Sequence, residues 1–261
     1  MSDFKTIQFS ISKRIATVTF NRLDDANGLN FEMAHELNQA AIRCDNSDKV
    51  KAVIITAQGR FFCAGGDVKA MQNYAGNNGE GVKRIADQLH RALSVFARMD
   101  APVIMAINGT AAGAGFSLAI NGDLVLAAES SKFTMAYTKI GLSPDGSSSY
   151  YLPRLIGLRR TQELMFTNRV LCAQEALDWG LVTKVVEDDK LMVEAEELAQ
   201  TFVNGAKGSS SMVKKLLLAS FDNSFETQME LEGRGIADCA NSADGQEGVA
   251  AFIEKREPSY E

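Results

Sequence analysis

An α/β core followed by an all-helical tail is the fold class this sequence predicts. Three observations predict it: four short apolar runs sit between polar or glycine boundaries, helical spacing fills intervals between them, and strand signals stop after about Leu191. The runs are 14–21 (RIATVTFN), 50–56 (VKAVIIT), 102–107 (PVIMAI) and 123–128 (DLVLAA), and their length and bounding residues read as buried strands. Residues 30–44 place Met33, Ala34, Leu37, Ala40, Ala41 and Cys44 at helical spacing, with Asn30 as the N-cap. Residues 79–99 do the same with Val82, Ile85, Ala86, Leu89, Leu93 and Phe96. Beyond that, 191–204, 209–220, 224–240 and 246–256 read as helices. The expected division is a core over 1–190 that carries the ligand site and a helical region over 191–261, where Met212, Leu216 and Leu217 are available to pack on another subunit.

Composition excludes several classes. With 261 residues, 46% hydrophobic, 23% charged and 4 prolines, the chain is neither disordered nor a disulfide scaffold. A net charge of −6 and the lack of a basic stripe argue against a nucleic-acid surface, so an anionic ligand needs locally placed cations. No signal-peptide pattern or membrane-length apolar run is present. Cys44, Cys63, Cys172 and Cys239 fit no metal spacing or disulfide framework. Reduced thiols, no metal and a cytoplasmic setting are the expectation.

Two segments share a strand, a turn of small residues and a helix start: 59–68 (GRFFCAGGDV) and 107–116 (INGTAAGAGF). Small residues let a ligand approach the backbone, and first-turn N–H groups offer unpaired donors at the positive end of the dipole. Two donors meeting at one oxygen form an oxyanion hole, although tight turns or close helix packing account equally for a glycine cluster. Neither segment is a nucleotide loop, since Leu118 stands where a dinucleotide fingerprint wants Gly and no GxxxxGK[ST] occurs. Ser117 lacks the context of a nucleophile elbow.

The order Asn21-Arg22, FCAGGD at 62–67, INGTAAGAG at 107–115, PRLIG at 153–157, EALDWGLV at 175–182 and FIEKREPSY at 252–260 resembles the enoyl-CoA hydratase/isomerase (crotonase) superfamily over nearly the whole chain. The resemblance implies a spiral of ββα turns with a C-terminal helical trimerisation region, assembled as a homotrimer or a dimer of trimers. It implies an acyl-coenzyme A (acyl-CoA) substrate, with coenzyme A entering as part of that substrate and no separate cofactor. It places the oxyanion donors on the N–H groups of Gly66 and Ala114. The family often has Gly at the second place, so Ala114 serves only if its φ is negative.

The two glutamates that hydratases of this family use fall on Ser117 and Tyr137, neither of which is a carboxylate base. Ordinary hydration is thereby demoted. Asp145 lies in a Pro-Asp-Gly turn, where turn chemistry alone also accounts for an acid. Isomerases of the family and the 4-chlorobenzoyl-CoA dehalogenase place their working carboxylate in the matching loop, so the resemblance makes Asp145 the expected acid/base in an apolar pocket. An enoyl-CoA double-bond isomerase is the leading expectation. An atypical hydratase, then a dehalogenase or hydrolase, then a non-catalytic acyl-CoA binder follow it. The dehalogenase likeness includes His90 and ELMFTNRVL at 163–171, but Tyr137 stands where that enzyme has tryptophan, and a lone helical histidine is more often a packing residue.

For the coenzyme, the resemblance implies contacts from Asn27, Gly28 and Leu29, from Ala64, Gly65, Gly66 and Asp67, and from Tyr137. Arg22 is the candidate for the phosphates, with Phe252 and Lys255 of the last helix beside the nucleotide. Solvated surface charge accounts equally well for each cation, and Asp67 reads first as a helix-start charge.

Overall fold

The computed structural model describes residues 4–72 and 78–260. Its elements are β1 (Ile7–Ser12), β2 (Ile15–Phe20), α1 (Phe31–Asp45), β3 (Ala52–Ala57), β4 (Phe61–Cys63), α2 (Val68–Gln72) and α3 (Asn78–Arg98). They continue through β5 (Val103–Ile107), β6 (Thr110–Ala112), α4 (Ala114–Ala119), β7 (Leu124–Ala128), β8 (Lys132–Thr134) and α5 (Ser148–Thr167). The chain then forms β9 (Leu171–Cys172), α6 (Ala173–Asp178), β10 (Lys184–Val186), α7 (Leu191–Val203), α8 (Lys207–Ala219), α9 (Phe225–Asn241) and α10 (Ala243–Glu254).

The strands sort into two sheets, one in the order β1-β2-β3-β5-β7-β10 and one in the order β4-β6-β8-β9. Successive turns of the chain place one strand in the first sheet, a short strand in the second, and then a helix: β3-β4-α2/α3, β5-β6-α4, β7-β8-α5. This is the expected ββα winding. The four predicted strands are β2, β3, β5 and β7, and all but the antiparallel β1–β2 and β8–β9 pairs are parallel. Strands buried on both faces read as continuous apolar runs, which is why these four were legible. Helix α1 starts where expected, with the Asn30 side chain accepting from the Met33 N–H at 2.8 Å. The apolar stripes of α1 and α3 pack on one another under the inner face of the first sheet.

The outer face is covered by α7, whose Leu191, Ala195 and Ala199 are buried against Ile54, Ile104 and Leu126. The last strand ends just before Leu191, yet α7 shares the core of the sheet. Helix α8 is tied to the core by Lys214, whose Nζ donates to Phe96 O at 2.9 Å and Ala101 O at 3.0 Å and lies 2.7 Å from Asp123 Oδ2. Burial pushes the Lys214 amine down, against the opposing pull of Asp123. Lys214→Met takes the amine from two carbonyls and leaves Asp123 with the Val103 N–H as its remaining partner, so it is expected to lower unfolding free energy by about 3 kcal/mol in urea titration. Helices α9 and α10 bury only Gly235 and Ala251 and leave Phe225, Ile236, Phe252 and Ile253 exposed.

Among the described residues no helix is long and apolar enough to cross a membrane, and no group of three or more His, Cys, Asp or Glu side chains is placed to hold a metal ion.

Candidate active site

The site begins with the second sheet. β4 and β6 run parallel, Phe61 beside Thr110 and Cys63 beside Ala111, so the glycine turns that follow them emerge side by side. Gly65 (φ 103°) and Gly113 (φ 51°) turn the chain through conformations that an L side chain resists. Each thereby presents the N–H of the next residue, Gly66 or Ala114. A Cβ added to Gly65 would lie 3.6 Å from Ala114 N, which measures how closely the two turns approach. Ala114 is the first residue of α4 and is absent from the positive-φ positions, so the condition for Ala in place of Gly is met. Among the described residues, neither the Gly66 nor the Ala114 N–H donates to a protein acceptor. Two free donors at the wall of one cavity, one of them on a helix first turn, suit an oxygen that gains negative charge.

That cavity measures about 610 Å³. Leu29, Ala64, Gly65 and Gly66 form one wall with Ala114, and Val82, Ile85, Ala86 and Leu89 of α3 form an apolar one. Val82 and Ala86 are thus only half-buried because the stripe that packs α3 also lines the site. Asp145 and Tyr137 face the same space, and Asp145 is the one carboxylate among its described lining residues.

Asp145 is held in a chain of hydroxyls. Tyr137 donates its phenol proton to Asp145 Oδ1 at 2.5 Å. Since that proton is committed, Ser117 is the donor in the 3.0 Å contact between its Oγ and the Tyr137 oxygen. Burial, reinforced by the Asp145 charge, pushes the Tyr137 phenol up, so it remains a donor across the neutral range. Ser117 and Tyr137, where the resemblance expects carboxylates, therefore orient the carboxylate that is present. Ser117 lacks the context of a nucleophile elbow and serves here as a hydroxyl donor. Its only sequence signal was a hydroxyl where the resemblance expects an acid.

His90 approaches Asp145 from α3, with Nε2 3.5 Å from Asp145 Oδ2 and 3.1 Å from the Gly146 N–H that donates to it. The packing role expected of a lone helical histidine gives way to a place in the cavity wall. Nε2 cannot accept from Gly146 and donate to Asp145 together. A neutral ring braces the loop, whereas an imidazolium pairs with the carboxylate.

The remaining expected residues divide into two sets. Arg22 donates to Gly28 O and pairs with Asp25 at 2.6 Å and Asp67 at 2.9 Å, its side chain only 12% exposed. Asn27 is buried, accepting from Arg22 N and donating to Gln58 O and Phe61 O. The Leu29 N–H donates to Gly65 O at 2.7 Å and the Asp67 N–H to Leu29 O at 2.9 Å. This mesh clamps the 22–29 segment to the first glycine turn. Burial opposes the Asp67 charge, but the Ala70 N–H and Arg22 outweigh it and hold the carboxyl below the usual range. Asp67 caps α2, as its helix-start position suggested. Phe252 is 86% exposed and Lys255 is the left-handed C-cap of α10; neither lines the cavity in this chain.

A model of the enoyl-CoA hydratase/isomerase family matches residues 10–261. The chain belongs to the enoyl-CoA hydratase/isomerase family. It is 35% identical to 1,2-epoxyphenylacetyl-CoA isomerase of Escherichia coli (strain K12), over 96% of each chain. It is also 35% identical to a probable enoyl-CoA hydratase of Rhodobacter capsulatus, over 98% of each. The crystal structure of an enoyl-CoA hydratase from Polaromonas sp. JS666 superimposes with a TM-score of 0.93 at 31% identity, covering 98% of this chain and 99% of that one. The crotonase-type fold expected from the resemblance is therefore the fold observed.

Within this enoyl-CoA hydratase/isomerase framework, His90 predicts a pH dependence. The Asp145 contact raises its pKa above the ordinary 6.5, with burial opposing. A raised value means that the pair's contribution to stability is fully present below pH 6.5 and is lost as pH rises through the folded value; the half-exposed ring keeps it small. Were Asp145 the base, activity would follow the opposite course, because only the neutral ring leaves its Oδ2 without an imidazolium partner. kcat/KM is expected to rise with pH through the raised His90 value, and His90→Gln to remove that limb. An unchanged profile in the variant would dissociate His90 from the carboxylate.

Proposed function

We propose that the protein is an enoyl-CoA double-bond isomerase in which Asp145 alone carries the proton. The observation that carries this reading is that Asp145 is the one carboxylate among the described lining residues of a cavity that also presents two free backbone donors. Gly66 and Ala114 polarise the thioester carbonyl. Asp145 removes a proton from the carbon beside the carbonyl, the negative charge spreads over a dienolate, and the same carboxyl returns a proton two carbons further along. Tyr137 holds Asp145 Oδ1 and leaves Oδ2 to exchange the proton. The chemistry is proton transfer and needs no cofactor beyond the coenzyme A of the substrate. A hydratase reading competes, since relatives named hydratase match as well as relatives named isomerase. Incubation of α,β- and β,γ-enoyl-CoA in deuterated water separates the two: bond migration without a water adduct is expected, and an adduct without migration would sink the isomerase. The relative named for an epoxyphenylacetyl-CoA adds a strained arylacetyl-CoA to the substrates to be tried.

The contact between His90 and Asp145 favours a second reading. In it, Asp145 displaces halide from an aryl-CoA ring and His90 helps water cleave the resulting ester. Halide release from 4-halobenzoyl-CoA tests it, and none is expected. The exposed apolar residues of α9 and α10 support assembly as a homotrimer or a dimer of trimers, which would bring Phe252 and Lys255 of a neighbouring copy toward the coenzyme.

A further inference from the structure

Among the described residues the Asp145 carboxylate has two side-chain partners, and they lead in opposite directions. From Oδ1 the hydroxyl chain runs through Tyr137 to Ser117, which is fully buried and whose Oγ meets Gly113 O at 3.4 Å. A proton passed that way reaches no water. From Oδ2 the neighbour is His90 Nε2 at 3.5 Å, and that ring is 48% exposed. His90 also lines a second cavity, of about 450 Å³, together with Ser94, Arg98 and Asp222. Those three residues are exposed, so the second cavity opens on the surface and admits water. An acyl chain in the first cavity displaces the water on its own side of Asp145, and the imidazole then stands between the carboxylate and the water that remains. No molecule has to pass the ring; only a proton does.

The neutral ring is in the form that can receive one. The Gly146 N–H donates to Nε2 at 3.1 Å, which puts the ring's own proton on Nδ1 and leaves Nε2 basic. Protonation of Nε2 ends that bond and sets an imidazolium against the carboxylate. Asp145 raises the ring's pKa with burial opposing, and of the other charges near it Asp87 adds to the rise while Lys83 works against it.

We infer that His90 is the proton shuttle of this site: it takes from Asp145 Oδ2 the proton removed from the substrate, exchanges it with water in the second cavity, and returns the exchanged proton to the carboxylate. The inference rests on the proton-transfer role proposed for Asp145, which remains the only group to touch the substrate carbons; His90 acts through it. The carboxyl gives one proton to Nε2, the half-exposed imidazolium turns and gives that proton to water in return for another, and the carboxyl regains one, so no charge accumulates.

The test is the origin of the hydrogen delivered to the product. A β,γ-enoyl-CoA is incubated in deuterated water with wild type and with His90→Gln, whose side-chain oxygen can still accept from the Gly146 N–H but takes up no proton. Mass spectrometry then reads the deuterium per product molecule in the first turnovers. Wild type is expected to place solvent deuterium at the γ-carbon of most product. In His90→Gln most of that label should be lost, with the substrate's own α-hydrogen found there instead. A distorted site slows migration without changing the label per product, so the ratio isolates the shuttle. Equal label in both proteins, or no label in the wild type, would overturn the inference. A protein that migrates no bond fails the isomerase reading rather than this one, and deuterium exchange at the α-carbon of a saturated acyl-CoA then carries the same comparison, with exchange expected in the wild type and lost in the variant. His90→Asn takes the place of His90→Gln if that variant does not fold.

Discussion

Asp145→Asn is expected to reduce kcat for double-bond migration by at least about a hundredfold, the usual consequence of removing a positioned acid/base group. The substitution is informative because it spares the surroundings. An asparagine Oδ1 still accepts from Tyr137, so the hydroxyl chain through Ser117 and the turn that carries residue 145 keep their partner. Only basicity is lost. Saturated acyl-CoA should therefore bind the variant nearly as it binds the wild type, and its substrate protons should no longer exchange with solvent. Full activity in Asp145→Asn would remove the carboxylate from the mechanism.

Ala114→Pro carries the second large effect. Proline lacks the N–H that is proposed to meet the thioester oxygen, and position 114 is the first of α4, where a proline ring fits the helix and no intrahelical donor is needed. Since that N–H serves no protein acceptor, the fold forgoes nothing by its removal. Loss of one oxyanion donor is expected to cost about 100- to 1,000-fold in kcat. Ala114→Gly retains the donor and should stay within a few-fold of wild type. A proline variant with wild-type kcat, well folded by circular dichroism, would contradict the role of this backbone group.

The fold was legible where strands are buried on both faces and where helices carry a one-sided stripe. β2, β3, β5, β7, α1 and α3 satisfy one or other condition, and Asn30 announced its cap. The second sheet was not legible, because β4, β6 and β8 have three residues each and β9 has two, too few for any period to register. Yet it is this sheet that sets the two glycine turns side by side. The Gly65-Gly66 and Gly113-Ala114 pairs could be found in the sequence as small residues before a helix start, but their convergence is a property of strand pairing between residues nearly fifty apart. Asp145 was singled out only through resemblance, since a Pro-Asp-Gly turn explains an acid without a function. Its partners were harder still. Tyr137 and Ser117 approach it because the loop after β8 folds back over α4, and His90 because α3 passes beneath that loop, none of which leaves a periodic trace. Arg22 shows the converse: a cation suited to phosphate by type is engaged by Asp25 and Asp67 once the chain folds.

The proposed polarisation of the thioester by Gly66 and Ala114 is the step on which the rest depends, and the carbonyl itself can report it. The infrared stretch of a thioester labelled with carbon-13 at the carbonyl should be recorded for a saturated acyl-CoA, free and bound. A shift to lower frequency is expected on binding to the wild type, with most of it lost in Ala114→Pro. A bound carbonyl that absorbs where the free one does, or an equal shift in both proteins, would contradict the account.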